Sequence, residues 1–117
     1  VVGLIYFGDI VHSAIACDPA IAIAYAMMAR PQPLEAAASV TRAYHERFPL
    51  TAAEIDALFP LLTARLCMSV CYAAYNARAK SGDAYQQVSA APAWELLQRL
   101  AAVPPETAGA LLRAACR

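Results

Sequence analysis

Asp18-Pro19-Ala20-Ile21-Ala22-Ile23-Ala24-Tyr25-Ala26-Met27-Met28 can be read with two different periods, and the choice decides the fold. Large apolar residues at 21, 23, 25 and 27 alternate as they would in a strand. The residues between them are alanines, however, and alanine favours the helix more than any other residue. Asp18-Pro19 adds a helix start, with an aspartate N-cap and then proline at the first helical position. On a helix, Ile21, Tyr25 and Met28 share one face while Ile23 and Met27 occupy another. A helix apolar nearly all round is a buried one. The helical reading wins.

Outward from that segment the pattern stays helical downstream and changes upstream. Residues 1–7 (Val-Val-Gly-Leu-Ile-Tyr-Phe) are β-branched, aliphatic and aromatic, which predicts a buried strand. Gly8-Asp9 supplies a turn, and residues 10–17 have no clear period and are expected to form a loop. Downstream, Pro31 to Pro33 breaks the chain before a helix from Leu34 to about Arg47. Its polar stripe is Glu35, Arg42 and Glu46, with Leu34, Thr41, Tyr44 and Phe48 opposite, and Pro49 ends it.

Thr51-Ala52-Ala53-Glu54 is a capping box, in which hydroxyl and carboxylate each satisfy an amide that the first turn leaves unpaired. It opens the longest helix, expected to continue to roughly Ala79, with Pro60 kinking or dividing it. Ile55, Phe59, Leu62 and Leu66 make one apolar stripe; Met68, Tyr72 and Tyr75 extend a second. Ser81-Gly82-Asp83 reads as a stop. Two short helices follow, at 92–103 and 105–115, each with proline at or near its start. Trp94, Leu97 and Leu100 or Ala101 are the expected inner face of the first, and Leu111, Leu112 and Ala115 that of the second. The fold class is mainly α: a short N-terminal β-strand followed by five or six helices.

Composition bounds the function. Of the 71 hydrophobic residues among 117, 29 are alanine, and the remaining 42 still suffice for a core. A charged fraction of 15%, against about 25% in ordinary domains, argues against disorder. Basic and acidic residues balance at nine each, the arginines are scattered, and Lys80 is the single lysine. Neither nucleic acid nor an anionic membrane surface is therefore an expected partner. The most apolar stretch, Leu58 to Tyr75, contains Pro60 and Arg65 and falls short of about 20 clean residues, so no membrane span is expected. The first residues lack the basic start and small-residue cleavage site of a signal peptide. They also lack a starting methionine, and Val1 to Ile5 reads as a strand entered partway. The whole of 1–117 is expected to be one helical unit, either a compact domain or a piece of something larger.

Cys67 and Cys71 are four residues apart and share a helix face, a spacing that admits a zinc site. Two further ligands are needed, and His12 and His45 are not arranged to supply them. The four cysteines, with Cys17 and Cys116, are read instead as small buried hydrophobes in a reducing, cytoplasmic setting. Gly3, Gly8, Gly82 and Gly109 are isolated, so there is no phosphate-cradling loop, and neither a nucleophile elbow nor a His-Glu-x-x-His helix occurs. What remains is the cluster after the strand: Asp9, His12, Ser13, Cys17 and Asp18.

Gly3-Leu4-Ile5-Tyr6-Phe7-Gly8-Asp9, followed by Cys17-Asp18-Pro19-Ala20-Ile21-Ala22, resembles a stretch of the aminoglycoside phosphotransferase and choline kinase superfamily. There the stretch reads glycine-x-Ile-Asp-Phe-Gly-Asp, then Asp-Leu-Ala at a helix start. Tyr44-His45 before Pro49-Leu50, the capping box and Ala64-Arg65-Leu66 resemble the hydroxylysine-kinase-like branch, some bacterial members of which are fused to a class III aminotransferase. The resemblance covers most of the chain, with its sharp motifs in residues 3–22. It implies a protein-kinase-like fold, of which this chain would be the C-terminal part: 1–9 a strand and metal-loop remnant, 10–117 the helical subdomain.

The resemblance also implies roles. The first aspartate of the family's Asp-Phe-Gly binds the magnesium that bridges the nucleotide phosphates, since a hard cation takes carboxylate oxygen. Tyr6 stands at that position, and a phenol is a poor substitute. Asp9 matches the family's next aspartate and is the candidate metal ligand, or else a turn residue accepting backbone amides. Asp18 matches an aspartate that braces the catalytic loop, a role compatible with a plain N-cap. His12 is placed to hydrogen-bond near the phosphates or to be an ordinary loop residue. Arg65, inside an apolar helix, needs a partner if buried; Asp9, Asp18 and Asp56 are the candidates, with Asp18 ahead.

The family's His-x-Asp-x-x-x-x-Asn catalytic loop and its nucleotide-binding lobe do not occur in this sequence. No catalytic or nucleotide-binding residue is therefore assigned, and the chain alone is expected to be inactive, with no cofactor of its own. The intact parent would use magnesium and ATP or GTP to phosphorylate a hydroxyl of an amino alcohol, hydroxy amino acid or aminoglycoside. Its partners would be the N-terminal kinase lobe and that small-molecule acceptor, with self-association possible through apolar surface. The alternative is a stand-alone helical interaction module or pseudokinase remnant, in which Tyr6 is tolerated because no metal is bound.

Overall fold

The structure, a computed structural model, describes residues 11–78 and 88–117. The expected strand at 1–7, the Gly8-Asp9 turn and the stop at 81–83 lie outside the described residues. Those described form five helices: α1 (Cys17–Met27), α2 (Pro33–Arg47), α3 (Ala52–Arg78), α4 (Ala90–Leu100) and α5 (Pro105–Ala115). α3 is the spine. It packs against α1, α4 and α5, while α2 closes the other side by packing on α1 and α5.

The start of α1 differs from the sequence reading. The helix begins at Cys17 with Ala16 as N-cap and no side-chain cap bond, which puts Asp18 inside the first turn. An acidic residue there still favours the positive end of the helix dipole. Pro19 falls at the third helical position, two later than expected, and is buried. The face formed by Ile23 and Met27, both 0% exposed, is the buried one. Ile21 and Tyr25 are exposed, so the helix is half-buried rather than enclosed. It ends at Met27; two residues on, Ala29 has a φ of 57°, left-handed backbone, and the chain then reverses into Pro31-Gln32-Pro33. Arg99 of α4 fastens this reversal by donating to the carbonyls of Arg30 at 2.8 Å and Pro31 at 2.5 Å.

α2 runs close to the expected bounds and buries Pro33, Ala37 and Thr41, the Thr41 hydroxyl donating to the Ala37 carbonyl at 2.8 Å. Tyr44 meets Phe48 edge to face with ring centroids 6.2 Å apart, but Phe48 remains half exposed. The turn into α3 is fixed by His45, whose Nδ1 accepts the Leu50 amide at 3.0 Å. That bond requires the proton of the neutral ring to sit on Nε2, and it satisfies the backbone of a buried leucine.

The capping box forms as expected. The Glu54 carboxylate accepts the Thr51 amide at 2.7 Å and the Thr51 hydroxyl at 2.8 Å, and the Glu54 amide donates back to that hydroxyl at 3.3 Å. The bonds from the Thr51 amide, then its hydroxyl, hold the Glu54 carboxyl below its ordinary value. A depressed folded-state pKa contributes stability above the unfolded pKa, about 4.3, that is lost as pH falls through the folded value. Glu54→Gln is therefore expected to flatten the acid limb of the stability curve below about pH 4.3, read by thermal melts across pH. An unchanged acid limb would contradict the box. Thr51→Ala is expected to cost about 1 kcal/mol at neutral pH.

α3 then continues unbroken through Pro60, so the proline does not divide it. Its buried stripe is Ile55, Leu58, Leu62, Leu66, Ser69 and Ala73. Leu58 replaces Phe59, which is only partly buried, and the second expected stripe of Met68, Tyr72 and Tyr75 is exposed. α3 is long and apolar enough to cross a membrane by length and composition alone. Its packing along the core stripe is that of the central helix of a bundle. In α4 Ala93, Leu96 and Leu100 are buried and Leu97 packs partly buried against the core, while Trp94, expected inward, is exposed; in α5 Ala108, Gly109 and Leu112 are buried and Leu111 packs partly buried beside them. Asp56 of α3 forms an ion pair with Arg113 of α5.

Candidate functional site

Of the residues marked by sequence, Tyr6 and Asp9 lie outside the described residues, and so does any metal loop they form. His12 is exposed in the segment before α1. Asp18 sits in the first turn of α1 and faces Tyr44 of α2. Burial first, then the Asp18 charge and its hydrogen bond, push the Tyr44 phenol above its ordinary value. Asp18 thus links the start of α1 to α2, and among the described residues it does not pair with Arg65.

Arg65 finds a partner that the sequence reading did not consider. Its Nη2 donates to the Tyr25 hydroxyl at 2.7 Å, and its guanidinium carbon lies 5.4 Å from the centre of the same ring. Asp56 is engaged by Arg113 instead. The Arg65 Nε is buried and has no acceptor, and among the described residues no carboxylate pairs with the guanidinium. A neutral phenol orients the group without neutralising it. Of the expected partners, Asp18 and Asp56 do not pair with Arg65, and Asp9 lies outside the described residues.

An unpaired buried donor costs about 1–3 kcal/mol, and replacing a poorly compensated charge with an apolar group of similar length is often neutral or stabilising. Arg65→Met is therefore expected to leave urea-unfolding stability unchanged or to raise it by about 1 kcal/mol, because Tyr25 is exposed enough for water to take its hydroxyl. A loss of about 2 kcal/mol would contradict this account of the side chain.

Arg65 and Tyr25 line an apolar groove of about 570 Å³ between the end of α1, the second half of α3 and the start of α4. Met28, Met68 and Tyr72 form much of its wall, and Ser69 and Ser89 add hydroxyls. Among the described residues no aspartate, glutamate or lysine lines it. The sequence offered a partial signal: Met68 and Tyr72 were marked as an apolar stripe, and they are exposed because they border this groove.

Among the described residues no three His, Cys, Asp or Glu side chains come together as metal ligands. All four cysteines are free. Cys67 and Cys71 are exposed, which corrects the core reading for both, while Cys17 and Cys116 are partly buried. Burial pushes the Cys116 thiol above its ordinary value.

Comparison with known proteins gives a consistent direction. Hydroxylysine kinase of Mus musculus is 31% identical over 99 residues, covering 84% of this chain and 26% of that protein. The Bos taurus protein of the same name is 30% identical over 99 residues, and that of Xenopus laevis 32% identical over 99. The chain thus spans about a quarter of the length of the curated relatives it matches. No family model matches, and no solved structure matches. The relationship to hydroxylysine kinases is distant and kinase-like.

Proposed function

We propose that this chain is the C-terminal helical lobe of a small-molecule phosphotransferase of the aminoglycoside phosphotransferase and choline kinase superfamily, in its hydroxylysine-kinase-like branch. The observation that carries the reading is the 99-residue match to hydroxylysine kinases. The glycine-to-Asp9 stretch and Asp18, which stand in the order of the family's motif, support it. The all-helical packing of α1 to α5 suits such a lobe.

The intact protein would bind magnesium with ATP or GTP and move the γ-phosphoryl group to an acceptor hydroxyl. The bond from the γ-phosphorus to the bridging oxygen breaks, a new bond to the acceptor oxygen forms, and the hydroxyl proton passes to a base in the upstream catalytic loop. That chemistry rests on positioning and charge neutralisation. This chain contributes neither the loop nor the nucleotide lobe, so it supplies an acceptor-side wall and is inactive alone. Asp9 remains the candidate metal ligand, the setting is cytoplasmic, and an aminotransferase domain on the same polypeptide would suit the branch.

Extending the reading frame upstream tests the assignment. A His-x-Asp-x-x-x-x-Asn motif about twenty residues before Val1 is the expected result, since that loop must precede the metal-binding strand. A start codon directly before Val1 would favour the stand-alone module instead.

A further inference from the structure

The turn between α2 and α3 is held in part by side chains whose protonation decides whether they can hold it. Pro49 has no amide hydrogen, so the amides left to satisfy are those of Phe48, Leu50 and Thr51. Phe48 donates to the Tyr44 carbonyl at 2.8 Å, an acceptor that does not titrate. Leu50 donates to His45 Nδ1 at 3.0 Å, and Thr51 to the Glu54 carboxylate at 2.7 Å. Nδ1 offers a lone pair only while the ring is neutral, because the imidazolium is a donor at both nitrogens. A second proton on His45 therefore sets N–H against N–H and removes the Leu50 bond. The charged ring has another place to go. His45 lies in the last turn of α2, where unpaired carbonyls and the negative end of the helix dipole attract a cation.

The charges around the ring are engaged elsewhere. α2 packs on α1 and α5, and α3 begins just beyond the turn. Asp18 of α1 faces Tyr44, and Cys17 accepts from the Ser13 hydroxyl. Glu54 is held by Thr51, and Asp56 by Arg113 of α5. Among the described residues, Arg42, Glu46 and Arg47 of α2 form no ion pair with the ring, nor do Glu106 of α5 and Arg117 beyond it. The Leu50 amide is the hydrogen-bond partner that the structure gives His45.

We propose that His45 is a pH-sensitive latch: neutral, it holds the Leu50 amide and fixes the α2–α3 turn; protonated, it turns to the carbonyl end of α2 and releases the turn. Histidine is the side chain whose charge ordinarily changes between about pH 5 and 8. The bond is present on the alkaline side of that change and lost on the acid side. Its release bears on α1 as well, since Tyr44, the neighbour of His45, faces Asp18 at the start of that helix. The latch goes beyond the phosphotransferase reading and does not depend on it.

Amide hydrogen exchange of the 117-residue chain, followed by NMR and divided by the intrinsic rate at each pH, tests the proposal. From about pH 8 to about pH 5 the protection of the Leu50 amide is expected to fall about tenfold, the worth of one hydrogen bond. Phe48 and Thr51 should change by less than about threefold, the first because its acceptor is a carbonyl and the second because its carboxylate stays ionised over that range. His45→Asn places an oxygen that does not titrate where Nδ1 stands, and is expected to keep Leu50 protected throughout. His12→Asn should leave the fall in place. Ring nitrogen shifts of the neutral wild-type side chain should report the proton on Nε2. Constant Leu50 protection in the wild type overturns the proposal, as does a fall shared equally by all three amides. A fall that persists in His45→Asn or vanishes in His12→Asn overturns it too, and so does a neutral ring protonated on Nδ1. Should a variant fail to fold, the three amides and the tautomer of the wild-type chain decide alone.

Discussion

Leu62→Ala is expected to lower unfolding stability by about 3 kcal/mol, whereas Met68→Ala should change it by less than about 1 kcal/mol. Leu62 is 0% exposed at the centre of the stripe on which α1, α4 and α5 converge. Removing its three outer carbons forfeits their transfer from water and leaves a cavity that the surrounding leucines fill only in part. Met68 is on the same helix and equally apolar, but it is 54% exposed at the groove margin. Its truncation opens no void. Urea unfolding followed by helical circular dichroism measures both, and equal losses for the two would contradict the assignment of the buried stripe.

Ala24→Leu is the second large effect, an expected loss of about 2 kcal/mol by overpacking. Ala24 is 0% exposed in the α1 face that meets α2 and α3, with Ala20 one turn away at 1%. Close-packed interiors accommodate extra methylenes only by displacing side chains from their rotamers or shifting the backbone. Ala22, two residues away, is exposed, so Ala22→Leu is expected to change stability by less than about 0.5 kcal/mol. Thermal melts of the two variants distinguish them; a neutral Ala24→Leu would mean that α1 is not packed as described. The alanine-rich composition has its physical meaning here. At positions such as 20, 24, 37 and 93 the small side chain lets helices approach closely.

What was legible from sequence followed the strength of the local signals. The helical nature of α1 came from alanine propensity, the bounds of α2 from its flanking prolines, and the start of α3 from the capping box, all short-range effects. Face assignment was less legible, because a helix with apolar residues on several sides does not say which side a neighbour covers. That is why Leu58 is absent from the expected stripe, why Trp94 is expected inward though it is exposed, and why the apolar stripe of Met68 and Tyr72 does not mark a buried face. The start of α1 was misplaced because backbone bonds from Cys17 to Ala14 and Asp18 to Ile15 wind the chain one turn before the aspartate.

The site divided along the same line. Asp18 was recognisable from a motif, but its contact with Tyr44 joins residues on different helices. The Arg65–Tyr25 pair spans 40 positions and breaks the usual preference for a carboxylate partner. No spacing rule relates residues so far apart. The groove could not be read as a groove until α1, α3 and α4 were placed together.

The central claim, that this helical unit belongs to a phosphotransferase, is tested most directly by assaying the protein encoded by the complete reading frame. Purified with magnesium and either ATP or GTP, it is expected to transfer phosphate to the hydroxyl of 5-hydroxylysine or a related amino alcohol or aminoglycoside. Chelation of the magnesium should abolish the transfer, and the 117-residue chain alone should show none. Absence of transfer to any of these acceptors by the complete protein, or magnesium-dependent turnover by the 117-residue chain alone, would contradict the account.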